Sequence, residues 1–235
     1  KPKTNHFDMT SISVGDIKNL EFDTHDRFPI FFDIETGPDI DAVSKFMPEF
    51  KAPSNWKDPD KIQAKIDEQL EAYYERAALD PVIGQVVAFG FRFKGNSYCI
   101  DQENLKTEAP VLAAIKELFT KAGTRAWVGH NILEFDLPYM CRRFWRSGLD
   151  MPLGWRDGNW WSKCFIDTMK LFALGKFKDI ISLDKLARFL GHESGKDGKS
   201  GADFHALLKV DKEAALKYLD TDLKLTEFCY ERIKH

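Results

Sequence analysis

Apolar residues along the chain form short runs that alternate with longer segments of helical period. The run FPIFFDIE is bounded by Pro29 and by Thr36-Gly37-Pro38, which predicts a buried first strand that ends in a turn. Two further runs on either side of Lys94-Gly95-Asn96 predict a hairpin, because both are rich in β-branched and aromatic residues. The runs that predict strands are residues 28–35, 82–93, 97–101, 125–128 and 164–166.

Apolar residues at helical spacing separate these strands. Asp58 and Pro59 supply an N-cap and a first-turn proline for a helix of about 20 residues. We expect this helix to lie in a helical insertion at residues 47–79, after the first strand. The other predicted helices are residues 110–123, 134–146, 167–174, 182–190 and 211–233. The pattern predicts a mixed α/β sheet flanked by helices, in one domain over residues 1–235 with an N-terminal extension at residues 1–27.

Composition and charge narrow the classes of function. The chain carries 34 basic and 37 acidic side chains, a formal net charge of −3, so any contact with nucleic acid must be local. Its four cysteines are widely spaced without a CxxC pair, which favours reduced thiols and a cytoplasmic protein. No apolar run is long enough for a membrane span, and no membrane association is expected. The glycine-rich segment 191–201 lacks the P-loop spacing and predicts a surface loop.

Carboxylates at three places are candidate metal ligands. Asp33 and Glu35 point to one face of the first strand, where repulsion and desolvation cost several kcal/mol unless cations compensate; a solvated strand end is the alternative. Asp136 lies among apolar residues in the first turn of a helix. The alternative to a metal-ligand role is that it only interacts favourably with the helix dipole. Tyr218 and Asp222 stack one turn apart on the last helix, although an aromatic on a core stripe and a solvated aspartate would give the same pattern.

Other residues have structural roles available. Asn131 and Glu134 have the spacing of a capping-box pair at the start of the helix that carries Asp136. His130 is more often structural than a metal ligand in such a setting. Basic and aromatic residues could supply a rim for a nucleic-acid strand, while core packing is the alternative for the tryptophans. These rim candidates are Arg142, Arg143, Arg146, Phe144, Trp145, Trp155, Trp160 and Trp161.

Taken together and in order, the motifs D-x-E at Asp33, N-x-x-x-F-D at Asn131 and Y-x-x-x-D at Tyr218 resemble the three exonuclease motifs of the DEDD superfamily. They are similar to the DnaQ-like branch with a tyrosine in the third motif (DEDDy). The likeness extends over segments 78–81, 166–168 and 182–187. Most of the chain from residue 28 to 233 resembles predicted 3′ to 5′ exonucleases related to the proofreading domain of family-B DNA polymerases.

The resemblance implies a ribonuclease H-like fold with a mixed five-stranded sheet, and a two-metal exonuclease that releases 5′-mononucleotides from the 3′ end of nucleic acid. Single-stranded DNA is the favoured substrate; the alternatives are an exoribonuclease of the same fold and a non-catalytic nucleic-acid-binding module. All-oxygen ligands suit two Mg²⁺ or Mn²⁺ ions. The implied ligands are Asp33, Glu35, Asp136 and Asp222, with Tyr218 orienting the water. The implied substrate contacts are Ile34, Thr36, Asn131 and Phe135.

Overall fold

A computed structural model of the protein describes residues 9–23, 27–152, 154–158, 160–176, 179–193 and 204–234. Most of the glycine-rich segment predicted as a surface loop lies outside these ranges. Its strands are β1 Met9–Ser11, β2 Ile30–Pro38, β3 Gly84–Phe93, β4 Asn96–Asp101, β5 Trp127–Gly129, β6 Arg156–Asp157, β7 Trp160–Trp161 and β8 Phe165–Asp167. Its helices are α1 Val14–Asn19, α2 Ile40–Lys45, α3 Pro59–Ala77, α4 Gln102–Leu105, α5 Glu108–Ala122, α6 Asp136–Arg146, α7 Thr168–Ala173, α8 Leu183–Phe189, α9 Phe204–Val210 and α10 Lys212–Ile233.

Six strands form one mixed sheet in the order β1-β4-β3-β2-β5-β8, while β6 and β7 form a separate two-stranded ribbon. Strand β2 lies inside the sheet, antiparallel to β3 and parallel to β5. The predicted hairpin is β3 and β4, and β8 extends the sheet in parallel beyond β5. The α/β class, with helices flanking a mixed sheet, is confirmed.

The sheet has one strand more than the five expected, because the N-terminal extension contributes β1. This strand pairs in parallel with β4, and the Ser11 hydroxyl donates to the buried carboxylate of Asp101 at 2.9 Å. Lys212 of α10 donates to the same carboxylate at 2.9 Å. A three-residue strand shows no measurable alternation, so its side-chain pattern carries no signal.

Strand β2 is longer than predicted. The turn expected at residues 36–38 is wrong, since the strand passes a bulge between Glu35 and Thr36 and continues to Pro38, paired with the start of β3. Gly37 is needed there because helix α9 packs closely on it: a Cβ at this position would lie 2.7 Å from Cγ of His205. A glycine that looked like a turn signal is thus a close-packing position.

The six predicted helices are present, with ends shifted by a few residues. The predicted insertion contains α3, which begins after the N-cap Asp58 as expected and packs on the edge of the domain, where the Tyr73 hydroxyl donates to the Val43 carbonyl. Four short helices, α1, α2, α4 and α9, were not predicted, because segments of one to two turns carry too little periodicity. No helix in the described ranges combines the length and apolar character required to cross a bilayer.

Two apolar layers cover the two faces of the sheet. On one face, the Phe32 ring contacts the rings of Phe89, Phe119 and Trp127 at centroid distances of 5.6–6.1 Å. On the other face, α10 packs directly on β3, where a Cβ at Gly90 would lie 2.7 Å from Cγ of Leu219. This close approach brings the last helix next to the carboxylates of β2.

A buried ion network fixes α6 against the rest of the domain. Arg143 is 1% exposed and donates to both carboxylate oxygens of Glu108, at 2.8 and 2.6 Å, and to the Pro81 carbonyl at 2.9 Å. It also contacts Asp39, the N-cap of α2, at 3.4 Å. Three separate segments therefore depend on one guanidinium.

Replacement of Arg143 tests this network. Arg143→Ala should lower the free energy of unfolding by about 3–5 kcal/mol, because it leaves the Glu108 carboxylate buried without its counter-charge. At about 2–4 °C per kcal/mol for a domain of this size, the Tm should fall by roughly 6–20 °C. Arg146→Ala is the matched control: Arg146 contacts the same Asp39 at 3.1 Å from an exposed position and should cost less than about 1 kcal/mol. Equal losses in the two variants would contradict the network's importance.

Candidate metal centre

All nine residues predicted for the site line a single cavity of about 580 Å³. The cavity lies beside the middle of β2 and is closed by segments from α6, α10 and the loop before α8. The residues are Asp33, Ile34, Glu35, Thr36, Asn131, Phe135, Asp136, Tyr218 and Asp222. Side chains separated by up to 189 positions along the chain therefore meet at one place.

Three of the four predicted carboxylates form a compact cluster. One oxygen from each of Asp33, Glu35 and Asp222 lies within 4.8 Å of the other two. Asp33 and Glu35 are opposite Gly90 and Ala88 of β3, and opposed residues in an antiparallel pair share a face, so both carboxylates point toward α10. The small residues of β3 leave room for the helix that carries Asp222.

Asp136 approaches the same strand from α6. It is the first residue of the helix, is 2% exposed, and its Oδ1 accepts the backbone N–H of Ile34 at 3.0 Å. Burial raises the pKa of the Asp136 carboxyl well above its usual range, and the negative charge of Asp33 raises it further, against the opposing effect of the Ile34 hydrogen bond. The fourth carboxylate is thus held beside the others at an electrostatic cost that a cation would offset.

Tyr218 lies one helical turn before Asp222 on α10 and is partly exposed to the cavity. Its ring packs at 6.3 Å from the ring of Phe204 on α9, which limits the positions that the phenol can adopt. Tyr218 therefore lines the cavity while its ring packs against α9.

The loop before Asp136 differs from the prediction. Asn131 has a left-handed backbone (φ +65°) and does not cap α6, whose N-cap Phe135 makes no side-chain cap bond, so the capping-box interpretation is wrong. Glu134 instead pairs with Lys170 at 2.7 Å. Both oxygens of Asp167 hold the loop, accepting from the N–H groups of Asn131 and Leu133 at 2.9 and 3.1 Å.

Asp167 is a site-forming residue that was not predicted as such. It is buried, caps α7 by accepting from Met169 N, and also fixes the loop that presents Asp136. Its position between a strand and a helix could have indicated a capping role. Its hydrogen bonds to backbone N–H groups of a distant loop could not be predicted, because they do not depend on the pattern of side chains. The contacts of His130 favour the structural role that the sequence analysis preferred to a metal-ligand role. Its two ring nitrogens lie 2.9 Å from Thr168 Oγ1 and 2.8 Å from the Ile181 carbonyl.

The rim of the cavity is apolar, and the expected arginine rim is not formed as a unit. Arg143 is buried, Arg146 pairs with Asp39, and only Arg142 points to solvent without that network. Two exposed apolar side chains line the cavity instead, Leu79 at 57% and Ile180 at 79% exposure.

The electrostatic cost at Asp136 predicts an unusual stabilising substitution. In a chelator at pH 8, Asp136→Asn should raise the Tm, because the amide removes a buried charge and its Oδ1 can still accept from Ile34. The pKa of the Asp136 carboxyl is raised in the folded protein, so this group ionises at a lower pH in the unfolded chain. The loss of folding free energy therefore begins as the pH rises above about 4, and it grows until the pH passes the raised pKa. The gain should be small at pH 4.5 and larger at pH 8.

Thermal scans at both pH values check this, with about 2–4 °C expected per kcal/mol relieved. Asp167→Asn is the matched control: its carboxylate accepts several backbone N–H groups, so the amide should lower the Tm. A lower Tm for Asp136→Asn at pH 8 in chelator would contradict the assigned cost.

Comparison with known proteins identifies solved structures with a similar fold. No protein-family model matches the chain, and no curated protein matches its sequence. Among solved structures, the chain is similar to the family B DNA polymerase from the hyperthermophilic archaeon Pyrobaculum calidifontis, with a TM-score of 0.58 and 15% identity over 92% of this chain. It spans 25% of that polymerase.

The chain is also similar to the Nibbler EXO domain of Aedes aegypti, with a TM-score of 0.53 and 12% identity. This match covers 99% of the chain and 90% of that domain. At such identities the likeness concerns the fold, and it confirms the ribonuclease H-like α/β architecture that the motifs implied.

Proposed function

We propose that the protein is a divalent-metal-dependent 3′ to 5′ exonuclease that hydrolyses the terminal phosphodiester of nucleic acid, with single-stranded DNA favoured, and releases 5′-mononucleotides. The observation that carries the proposal is the cluster of Asp33, Glu35 and Asp222 within 4.8 Å, with Asp136 bonded to the same strand. Its support is twofold: the motifs occur in the order of the DEDDy exonucleases, and the fold is shared with an EXO domain and with a DNA polymerase.

The residues present fit two divalent cations. Asp33, Glu35, Asp136 and Asp222 would hold them, and a set of carboxylate oxygens without sulfur or imidazole suits Mg²⁺ or Mn²⁺. When bound, such ions supply charge neutralisation at the phosphate and activation of the attacking water. A neighbouring dication would favour the ionised carboxylate of Asp136 and so oppose the rise in its pKa that burial and Asp33 cause.

The chain's own residues would orient the reactants. The Tyr218 hydroxyl would hydrogen-bond the attacking water and aim it at the phosphorus. Because a bound divalent cation would already activate the water, we assign orientation rather than proton abstraction to Tyr218. Glu35 would also contact the 3′-hydroxyl of the terminal nucleotide.

The cavity has the size and lining for one nucleotide. A volume of about 580 Å³ lies within the range of small-molecule sites. The Phe135 ring offers an apolar face, the Thr36 hydroxyl and the Asn131 side chain offer polar contacts, and Ile34 lines the same wall. We assign these four residues to binding of the terminal nucleotide.

A non-catalytic binding module with the same fold is the competing hypothesis. A non-catalytic module can lose a metal-ligating carboxylate without loss of its binding function. In this protein every motif carboxylate is present and lines the cavity. The intact set favours an enzyme.

Cleavage of labelled strands tests the proposal directly. The protein should shorten 5′-labelled single-stranded DNA from its 3′ end with Mg²⁺ or Mn²⁺, and a chelator should stop the reaction. Duplex DNA and RNA of the same sequence, tested in parallel, separate the DNA exonuclease from the exoribonuclease. Binding of all three strands without any cleavage would establish the module instead.

Two substitutions test the assigned roles. Asp33→Ala should reduce the rate at least about 1,000-fold by removing a ligand, and Tyr218→Phe should slow it about 10- to 100-fold by removing one oriented hydrogen bond. Asp150→Ala and Tyr74→Phe, which alter an exposed aspartate and an exposed tyrosine elsewhere, are matched controls and should keep full activity. Full activity in Asp33→Ala, with an unchanged Tm, would refute the site.

A further inference from the structure

Helix α10 brings a third polar side chain, Thr226, to the cavity. Thr226 lies four residues after Asp222 and eight after Tyr218, so the three side chains follow one line along the helix, and all three line the cavity. Thr226 is only 2% exposed. An additional polar group therefore lies beside the candidate metal ligands, and no motif in the sequence pointed to it.

The hydroxyl of Thr226 differs from that of Thr221 on the same helix. The Thr221 hydroxyl donates to the Lys217 carbonyl at 2.8 Å, whereas the Thr226 hydroxyl forms no hydrogen bond within the part of the chain that the structure describes. The enclosed polar atoms that lack a partner in the same part do not include the Thr226 oxygen, so this oxygen keeps access to the cavity. A valine would fill the same space without leaving a polar group unbonded, so packing alone does not explain a threonine here.

Helix α10 runs along β2 in the opposite direction. Near the start of the strand, the Phe31 ring contacts the Tyr230 ring at 5.8 Å. Near its end, His205 of α9 packs on Gly37, and the ring of Tyr218 packs on the same short helix. Tyr218 therefore lies toward the end of β2, and Tyr230 lies toward its start.

This course places Thr226 at the level of Asp33. Four helix residues rise about 6 Å and two strand residues about 6.6 Å, so one turn of α10 matches two residues of β2. Thr226 precedes Tyr230 by one turn, and Asp33 follows Phe31 by two residues on the same strand face. Thr226 therefore lies at the opposite end of the carboxylate cluster from Tyr218.

The chemistry of phosphodiester hydrolysis gives these two ends different roles. In an in-line displacement, the attacking oxygen and the departing oxygen lie on opposite sides of the phosphorus. The proposed function places the attacking water at Tyr218, so the departing 3′ oxygen of the shortened strand lies toward Thr226. A hydroxyl is a suitable donor to an oxygen on which negative charge develops.

We propose that Thr226 donates a hydrogen bond to the departing 3′ oxygen, an assignment that rests on the proposed function. In this step the bond between the water oxygen and the phosphorus forms, and the bond between the phosphorus and the 3′ oxygen breaks. The electron pair of the broken bond stays on the 3′ oxygen, which takes a proton from solvent, and the attacking water releases a proton to solvent. Thr226 keeps its own proton and stabilises the departing oxygen as a hydrogen-bond donor.

Thermal unfolding tests whether the hydroxyl is available to a substrate. In a chelator and without substrate, Thr226→Val should keep or raise the Tm, because valine has the same shape and removes a buried polar group that forms no bond in the described structure. A Tm lowered by several degrees would show that the hydroxyl already has a structural partner, and would overturn the proposal.

Substrates with different leaving groups test the contact itself. An oligothymidine strand and the p-nitrophenyl ester of thymidine 5′-phosphate both release thymidine 5′-phosphate, but the ester loses a p-nitrophenolate whose charge is delocalised. With Mg²⁺ or Mn²⁺, Thr226→Val should slow single-turnover cleavage of the strand by about 10- to 100-fold, the range for a lost hydrogen bond to a charged acceptor. Cleavage of the ester should slow by less than about 3-fold, because its departing oxygen needs less stabilisation.

Two further variants provide the contrast. Tyr218→Phe should slow both substrates by similar factors, because the water attacks in both reactions. Thr221→Val is the matched control, since it makes the same replacement on the same helix at a residue that does not line the cavity, and it should keep full activity on both substrates.

The outcomes separate the two proposals. A wild-type protein that cleaves neither substrate refutes the nuclease, and the assignment of Thr226 with it. If the wild type cleaves both, equal losses in Thr226→Val on the strand and the ester would overturn the assignment alone, because they would indicate a general disturbance of the site. Full activity of Thr226→Val on the strand would overturn it as well.

Discussion

The repulsion among four carboxylates beside the middle of β2 is the constraint on which the rest of the structure depends. Asp33, Glu35 and Asp222 lie within 4.8 Å of one another, and Asp136 is buried beside them. Bringing like charges together in a buried place costs free energy that the surrounding packing must supply when no cation is bound. A folded domain is stable by only about 5–15 kcal/mol, so this cost is large enough to shape the packing around it.

That packing acts through the helices that carry the carboxylates. Helix α10 can approach β2 and β3 closely because Gly90 leaves space under Leu219, and the approach places Asp222 over the sheet. Helix α6 is fixed at both ends: Asp167 holds the loop before it, and Arg143 binds its last turns to Glu108. The carboxylates are therefore positioned by rigid elements, which suits a site that must keep ligands at set distances.

The sequence revealed those features that depend on side-chain period and order. The face shared by Asp33 and Glu35 follows from the two-residue period of a strand, and the three motifs in order indicated that Asp136 and Asp222 would join them. Features that depend on backbone partners stayed hidden. Asn131 has the spacing of a cap but adopts a left-handed turn held by Asp167, and Arg143 looked like an exposed base until its partners Glu108 and Pro81, distant in sequence, were known.

The same electrostatics limits how a nucleic-acid strand could approach the cavity. A cavity lined by four carboxylates repels phosphate, and its rim at Leu79 and Ile180 carries no charge to offset that repulsion. Attraction between exposed charges is screened beyond about 8–10 Å at physiological salt, so a basic patch can act on a strand only where the strand touches it. A strand end would thus enter the acidic cavity only together with cations.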